Sequence, residues 1–361
     1  MDDIALLRCA PGFSKAFVLP GVLLVLLGLG TAVAAPETAS VPPAGLSGDT
    51  VQPGGTPPPA NIDDSLFASP TTHDHIGRVV VPVRINGQGP FRFIVDTGAN
   101  HSTISPELVR VLALKTGTQS LITLDGITGA AQVTYVSIDR LQAGDLTIEE
   151  TTLPVVWGPV MGGADGILGA AGMSEKSLLI DFQRNRVAIA SHMEAAARAR
   201  AIKIHAARVA SGLIVLDTLI AGVRVQAVLD TGSERTLGNL ALREALRSQQ
   251  LGKKGFVAQL TSVYGATKEV EPGEVLLAPT ISIDTLRITD VHIVYGDFHI
   301  FKIWDMQHKP AMILGMDVLG TVSSLNIDFK NQNVYLGSVP AANKDFLSTP
   351  HDMSNIQSMR K

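Results

Sequence analysis

Two tetrapeptides carry the residues of this chain best suited to chemistry: Asp96-Thr97-Gly98-Ala99 and Asp230-Thr231-Gly232-Ser233. Each follows an apolar run, Phe91 to Val95 in one case and Val223 to Leu229 in the other. A carboxylate at a strand end on a tight glycine turn can be offered at an interface without its own backbone intervening. Two such carboxylates brought face to face cannot both ionise, so they share one proton and titrate as a pair. One can then act as base on a water held between them while the other protonates a substrate carbonyl. That chemistry asks for no metal, no cofactor and no covalent intermediate. One Asp-Thr-Gly alone is weak, because turns after strands often use these residues.

The surroundings of the two aspartates make the pair strong, because they recur in the same order as an internal repeat. A hairpin comes first: Val79-Val80-Val81-Pro82-Val83, a turn at Asn86-Gly87, and a strand running into Asp96. Its counterpart is Leu213 to Leu216, a turn at Ala221-Gly222, and a strand running into Asp230. A short helix follows, with Ser105 as N-cap, Pro106 at its first position and Leu108, Val111 and Leu112 on one face. The second copy's helix is expected to begin near Asn239. Glycine turns come next, Thr128-Gly129-Ala130 matched to Tyr264-Gly265-Ala266. Each copy closes alike, with Ile167-Leu168-Gly169 before Leu179 to Phe182 and Ile313-Leu314-Gly315 before Asn326 to Phe329. From Asp96 to Gly169 is 73 positions and from Asp230 to Gly315 is 85, the excess being expected near Val291 to Met312.

With these motifs in place, the stretch from about Gly77 to Ser338 resembles the clan that includes pepsin-like and retroviral aspartic peptidases. The resemblance implies an all-β acid-protease fold. Two pseudo-symmetric, barrel-like lobes would enclose a cleft, each with one short helix, in the manner of a fused retropepsin dimer. It implies catalytic roles for Asp96 and Asp230 and a cross-lobe hydrogen-bonded grip from Thr97 and Thr231. Gly169 and Gly315 would let a strand pass close behind each aspartate loop, and a glycine turn would serve as a mobile flap. Pepsin carries its flap tyrosine in the first lobe, whereas Tyr264 lies in the second, so Thr128-Gly129 and Tyr264-Gly265 both stand as candidates. The implied substrate is an extended polypeptide, with one chain catalytically sufficient as a monomer. Two alternatives stand beside this reading: a non-catalytic peptide-binding protein of the same fold, and lobes that pair with those of another molecule. The one difference between the tetrapeptides, Ala99 against Ser233, suggests that a serine hydroxyl lowers the pKa of Asp230 and leaves Asp96 as the proton holder.

The remainder of the chain frames the repeat. Residues 1–35 read as a signal peptide or retained N-terminal membrane anchor, with Arg8 and Lys15 before an uncharged run ending in Ala32-Val33-Ala34. Residues 36–75, rich in Pro, Gly, Thr and Ser, read as a disordered tether, and 340–361 as a disordered tail. The lobes then occupy 76–192 and 208–339, joined by 193–207, whose Ala- and Arg-rich composition predicts a helical hinge. Export to a bacterial periplasm, or anchoring that faces it, follows from the leader. The sole sequon, Asn100-His101-Ser102, lies where a glycan would block the cleft. Cys9 precedes the apolar run, so the exported part would contain no disulfide. A net charge of -4 gives no support to a nucleic-acid partner. His73-Asp74-His75 lacks the spacing of a metal site, His101 is expected to play a structural part in its loop, and Phe298, Phe301 and Trp304 are candidates to line a pocket.

Overall fold

The computed structural model describes residues 6–8, 69–70, 72–73, 77–116, 121–191, 201–209, 212–249 and 259–338. Most of the expected leader and tether, residues 193–200 of the expected hinge, and the expected tail lie outside these residues. Strands dominate, and the expected all-β class holds.

The two halves are built from the same parts. In the first, Val79–Ile85 and Gln88–Val95 pair across Asn86-Gly87; in the second, Ile214–Ile220 and Val223–Leu229 pair across Ala221-Gly222. Both turns have two consecutive left-handed residues, with φ of 49° and 78° in the first and 49° and 82° in the second. That backbone twist matches the twist of the flanking strands. Alternation then decides burial: Val79, Val81, Val83 and Ile85 face the core while Pro82 and Arg84 face out.

Each aspartate-bearing strand is joined in parallel by its lobe's closing strand, Gly166–Leu168 beside Phe93–Val95 and Ala311–Leu314 beside Gln226–Leu229. The other edge of that closing strand takes Thr103–Ile104 in one lobe and Leu237–Asn239 in the other, antiparallel. Every aspartate loop is thus held between two ladders, with little freedom to move.

A third sheet serves both lobes. Ser177–Asp181 pairs antiparallel with Ser324–Asp328, and Leu179 lies opposite Asn326. Those residues occupy equivalent places in the Leu-Ile-Asp-Phe and Asn-Ile-Asp-Phe segments, so the pseudo-twofold axis passes through this pair. Arg186–Ala190 and Asn333–Leu336 extend the sheet outward on either side.

Several expectations are corrected. The described part of the supposed helical hinge is extended: Ile202–His205 pairs with Asn333–Leu336, and Ala207–Arg208 with Ile214–Val215. Ile202 and Ile204 alternate with Lys203 and His205, a strand period that the Ala- and Arg-rich residues before it obscured. The end of the supposed tether is also paired, Ser69–Pro70 against Arg186–Val187 and Thr72–His73 against Val79–Val80. These short strands cover sheet edges through backbone groups, which leaves no apolar pattern to read. Within the expected leader, Leu6–Arg8 is a strand parallel to Arg287–Thr289. Among the described residues no helix is long and apolar enough to cross a membrane.

One helix per lobe is also too few. The first lobe has Pro106–Val111, but the second has Leu240–Gln249, His299–Ile303 and Met316–Leu319. Both leading helices are capped as expected, by Ser105 Oγ accepting from Leu108 N at 3.1 Å and Asn239 Oδ1 accepting from Leu242 N at 2.8 Å. Val111 is exposed; Val109 is buried with Leu108 in its place.

Candidate active site

Asp96 and Asp230 meet at the junction of the lobes, and their side chains are hydrogen-bonded to each other. Each loop is held by the same backbone bonds. Asp96 N donates to Leu168 O at 3.0 Å and Asp230 N to Leu314 O at 3.1 Å. Within each loop one carboxylate oxygen is pinned from below. Asp96 Oδ1 accepts from Gly98 N and Ala99 N, both at 2.9 Å, and Asp230 Oδ1 accepts from Gly232 N at 2.8 Å and Ser233 N at 3.0 Å.

The glycines in these turns are required by the opposite lobe. A methyl group on Gly98 would collide with the Asp230 carboxylate, and one on Gly232 with that of Asp96. Each carboxylate therefore rests on the other lobe's turn.

Thr97 and Thr231 form a closed four-bond ring across the interface. Thr97 N donates to Thr231 Oγ1 at 3.2 Å and Thr231 N to Thr97 Oγ1 at 3.1 Å. The hydroxyls in turn donate to the strands that carry the opposite aspartates, Thr97 Oγ1 to Leu229 O at 2.8 Å and Thr231 Oγ1 to Val95 O at 2.7 Å. Both threonines are fully buried, so each bond is shielded from water and each orphaned group would be expensive.

Behind the loops the glycines of the closing strands allow the backbones to touch. A Cβ on Gly169 would lie 2.6 Å from His101 O, and one on Gly315 would lie 2.5 Å from Arg235 O. Gly169 N donates to Ser102 Oγ at 3.1 Å, and Gly315 N to Thr236 Oγ1 at 3.2 Å. In the second lobe this contact continues further, since Thr236 Oγ1 donates to Asp317 Oδ1 at 2.7 Å and Thr236 N to Asp317 Oδ2 at 3.0 Å. Asp317 is held above the usual carboxylate range by burial, an effect that its Thr236 donors partly offset.

Burial pushes both members of the pair up, and the backbone donors pull each back down. Asp230 is raised further. It is 5 % exposed whereas Asp96 is only half-buried, and it also faces the negative charge of Asp96. Asp96 is moderated by the proton that Asp230 offers it and by the positive charge of Arg78. The expectation drawn from Ser233 loses its premise, because the Ser233 hydroxyl donates to Arg235 O at 2.8 Å and is engaged away from the carboxylate.

The two glycine-turn hairpins also come together. Thr128 Oγ1 and Thr267 Oγ1 are 3.1 Å apart, and a Cβ on Gly265 would sit 2.9 Å from the Thr128 hydroxyl. Leu124 and Ala266, one from each hairpin, pack against the same small apolar cluster as Ala99 beside the Asp96 loop. The repeat register is thereby corrected. Thr128 matches Thr267, so Asp125-Gly126-Ile127-Thr128 corresponds to Tyr264-Gly265-Ala266-Thr267, and Tyr264 is an exposed residue at the foot of its turn.

The copies are 134 residues apart at the aspartates, 139 at these threonines and 146 at the closing glycines. The excess thus falls in two places, the longer helix Leu240–Gln249 and the connection holding His299–Ile303.

This geometry fits one family by its elements, and a comparison with protein-family models agrees. The aspartyl protease model matches the chain twice, over residues 81–171 and 216–318, one match in each lobe. The chain belongs to the aspartyl protease family. No curated protein matches it. As an aspartyl protease of the two-lobe, retropepsin-like kind, it carries both half-sites in one chain, so a partner chain is not needed to bring the two aspartates together.

The remaining sequence candidates fall outside the pair. Phe298 and Phe301 are core residues of the second lobe, each 1 % exposed, rather than pocket lining. His101 exposes its side chain and contributes its backbone carbonyl to the Gly169 contact. Among the described residues no group of three His, Cys, Asp or Glu side chains is arranged to hold a metal. Arg78, Thr236 and Asp317 were not singled out from the sequence. A lone arginine directly ahead of an apolar strand was the available signal for Arg78; Asp317 had none.

Proposed function

We propose that the protein is an exported aspartic endopeptidase that hydrolyses peptide bonds in extended polypeptides through water activated by Asp96 and Asp230. The observation that carries this reading is the pair itself, two hydrogen-bonded carboxylates in a buried junction, one per lobe; we assign the proton to Asp230, the more deeply buried of the two. Asp96, ionised, takes a proton from the attacking water. Asp230 donates its proton to the carbonyl oxygen as the tetrahedral intermediate forms, and the reverse transfers protonate the leaving nitrogen. The backbone donors of residues 98, 99, 232 and 233 hold one oxygen of each carboxylate fixed as charge moves between the two groups.

A substrate strand would lie between the aspartate loops and the two hairpins, held by backbone hydrogen bonds as an added strand. The leader in residues 1–35 supports export to a bacterial envelope, with the enzyme released into or tethered at the periplasm. Because both carboxylates are raised, activity is expected in mildly acidic solution; a rate maximum at about pH 2 contradicts the raised pKa values. The test is a peptide-library cleavage screen at several pH values with wild type, Asp96→Asn and Asp230→Asn. Full activity in either variant rules out the shared pair. No cleavage by wild type leaves a peptide-binding protein of the same fold as the reading.

A further inference from the structure

We infer that His299 and Trp157 are positioning residues, each a latch that holds the hairpin of the opposite lobe closed. This rests on the reading of the two hairpins as the roof of a peptide-binding cleft.

The hairpins cross over. Ile127, at the tip of the first-lobe hairpin, packs against the second-lobe cluster that includes Phe298, Ile300 and Phe301. Ala266, at the tip of the second-lobe hairpin, packs against Val156, Met161 and Ile167 of the first lobe. Beside each apolar contact stands one polar or charged pair. His299 Nε2 is 3.0 Å from Asp125 Oδ1, which ends the first-lobe strand Ile122–Asp125. Lys268 Nζ of the second-lobe hairpin lies 5.2 Å from the centre of the Trp157 ring, within reach of its negative face.

The two receiving residues occupy the same connection of the repeat. Trp157 follows the strand Leu146–Pro154 and precedes the helical turn Pro159–Met161; His299 follows His292–Gly296 and opens the helix His299–Ile303. One structural position has thus acquired two different ways of catching the hairpin that crosses to it. Trp157 is 64 % exposed, an unusual setting for the largest apolar side chain, and its role as a platform for Lys268 accounts for it. The Asp125 and His299 side chains are about a third exposed, so neither pair is sealed in the core.

Partly exposed pairs of this kind change an equilibrium by a factor of about 2–5 each. That is the useful range for a lid: enough to favour closure, too little to prevent a substrate from entering or a product from leaving. One latch holds each hairpin, and the contact between Thr128 and Thr267 ties the two tips to each other.

The test is amide hydrogen exchange, followed by kinetics, on the full chain with His299→Ala, Trp157→Leu, their combination, and the exchanged pair Asp125→His with His299→Asp. We expect exchange of residues 122–133 to rise about 2–5-fold in His299→Ala alone and that of 264–270 in Trp157→Leu alone. The combined variant should show both changes, and the exchanged pair should restore protection to 122–133. The melting temperature should stay put in all four. In an active enzyme the same variants should raise KM with kcat unchanged or faster. Exchange that is unaltered in either hairpin, or that rises across the whole second lobe together with a lower melting temperature, overturns the latch. Exchange needs no catalysis, so a selective rise in a protein that cleaves nothing upholds the latch and rejects the peptidase reading instead.

Discussion

The first and second lobes are nearly superimposable in what touches the aspartates and unlike in what stands one layer behind. Both present an aspartate on two backbone donors, a threonine reaching across, and a glycine under the loop. Behind that glycine, Ser102 Oγ accepts the first-lobe bond, whereas Thr236 passes it on to the half-buried Asp317. The difference teaches where a duplicated half is free to change. Residues at the pseudo-twofold axis must fit a copy of themselves, so a change on one side is felt twice. One layer away, only the residue's own lobe constrains it.

The strongest test of equality at the axis is the pair of isosteric variants Asp96→Asn and Asp230→Asn. Both are expected to lower kcat/KM by about 100- to 10,000-fold, because each removes one partner of a proton-sharing unit. A large gap between the two would mean that one lobe supplies the chemistry alone. The same variants test the proton assignment through stability. Both carboxylates have folded pKa values above the unfolded value of about 3.9, so the native state takes up a proton before the unfolded chain does. The pair's contribution is therefore fully present below that unfolded value and is lost as pH rises through the folded one. Thermal melts should show Asp230→Asn gaining on wild type as pH is raised from about 4 to about 8. A variant that loses ground to wild type as pH rises contradicts the raised pKa.

Next in size come Gly169→Ala and Gly315→Ala. Each forces a methyl against backbone that cannot yield, and each is expected to lower stability by about 3 kcal/mol in denaturant titrations. Equal losses would extend the symmetry to this layer. Thr97→Val and Thr231→Val follow, at about 2 kcal/mol each, since a buried carbonyl and an amide on the other lobe lose their partners. If the ring acts as one unit, the double variant loses less than the sum of the singles in a mutant cycle.

The smallest effect carries the asymmetry. Ser102→Ala is expected to lower stability by about 1 kcal/mol, and Thr236→Val by more, because it also strips a donor from the half-buried Asp317. Equal values from chemical denaturation would show that the longer relay adds nothing.

Much of this was legible in the residues. Asp96 and Asp230, their glycines and threonines, and the closing glycines all occur as short local motifs, and a duplicated order gave each motif a second reading. The turns at Asn86-Gly87 and Ala221-Gly222 and the caps Ser105 and Asn239 follow from local conformation, which a sequence records directly. What escaped depended on distant partners. Ile202–His205 is a strand because Asn333–Leu336 lies alongside. Phe298 and Phe301 are core because the second lobe closes over them. The hairpin register shifted because the longer second-lobe helix displaced it, and only the contact between Thr128 and Thr267 reveals the shift. Ser233 misled for the same reason, its hydroxyl choosing a carbonyl over the carboxylate.

The sheet shared by the lobes has a consequence in time. One edge of Ser177–Asp181 is taken by the nearby Arg186–Ala190, but the other waits for Ser324–Asp328, and Ile204 finds its neighbour in Val334, 130 residues later. Contacts so far apart in the chain form slowly, and a strand waiting for its partner keeps an open edge. That sheet therefore closes only when the two ends of the stretch 177–336 have come together, which puts its completion late in folding.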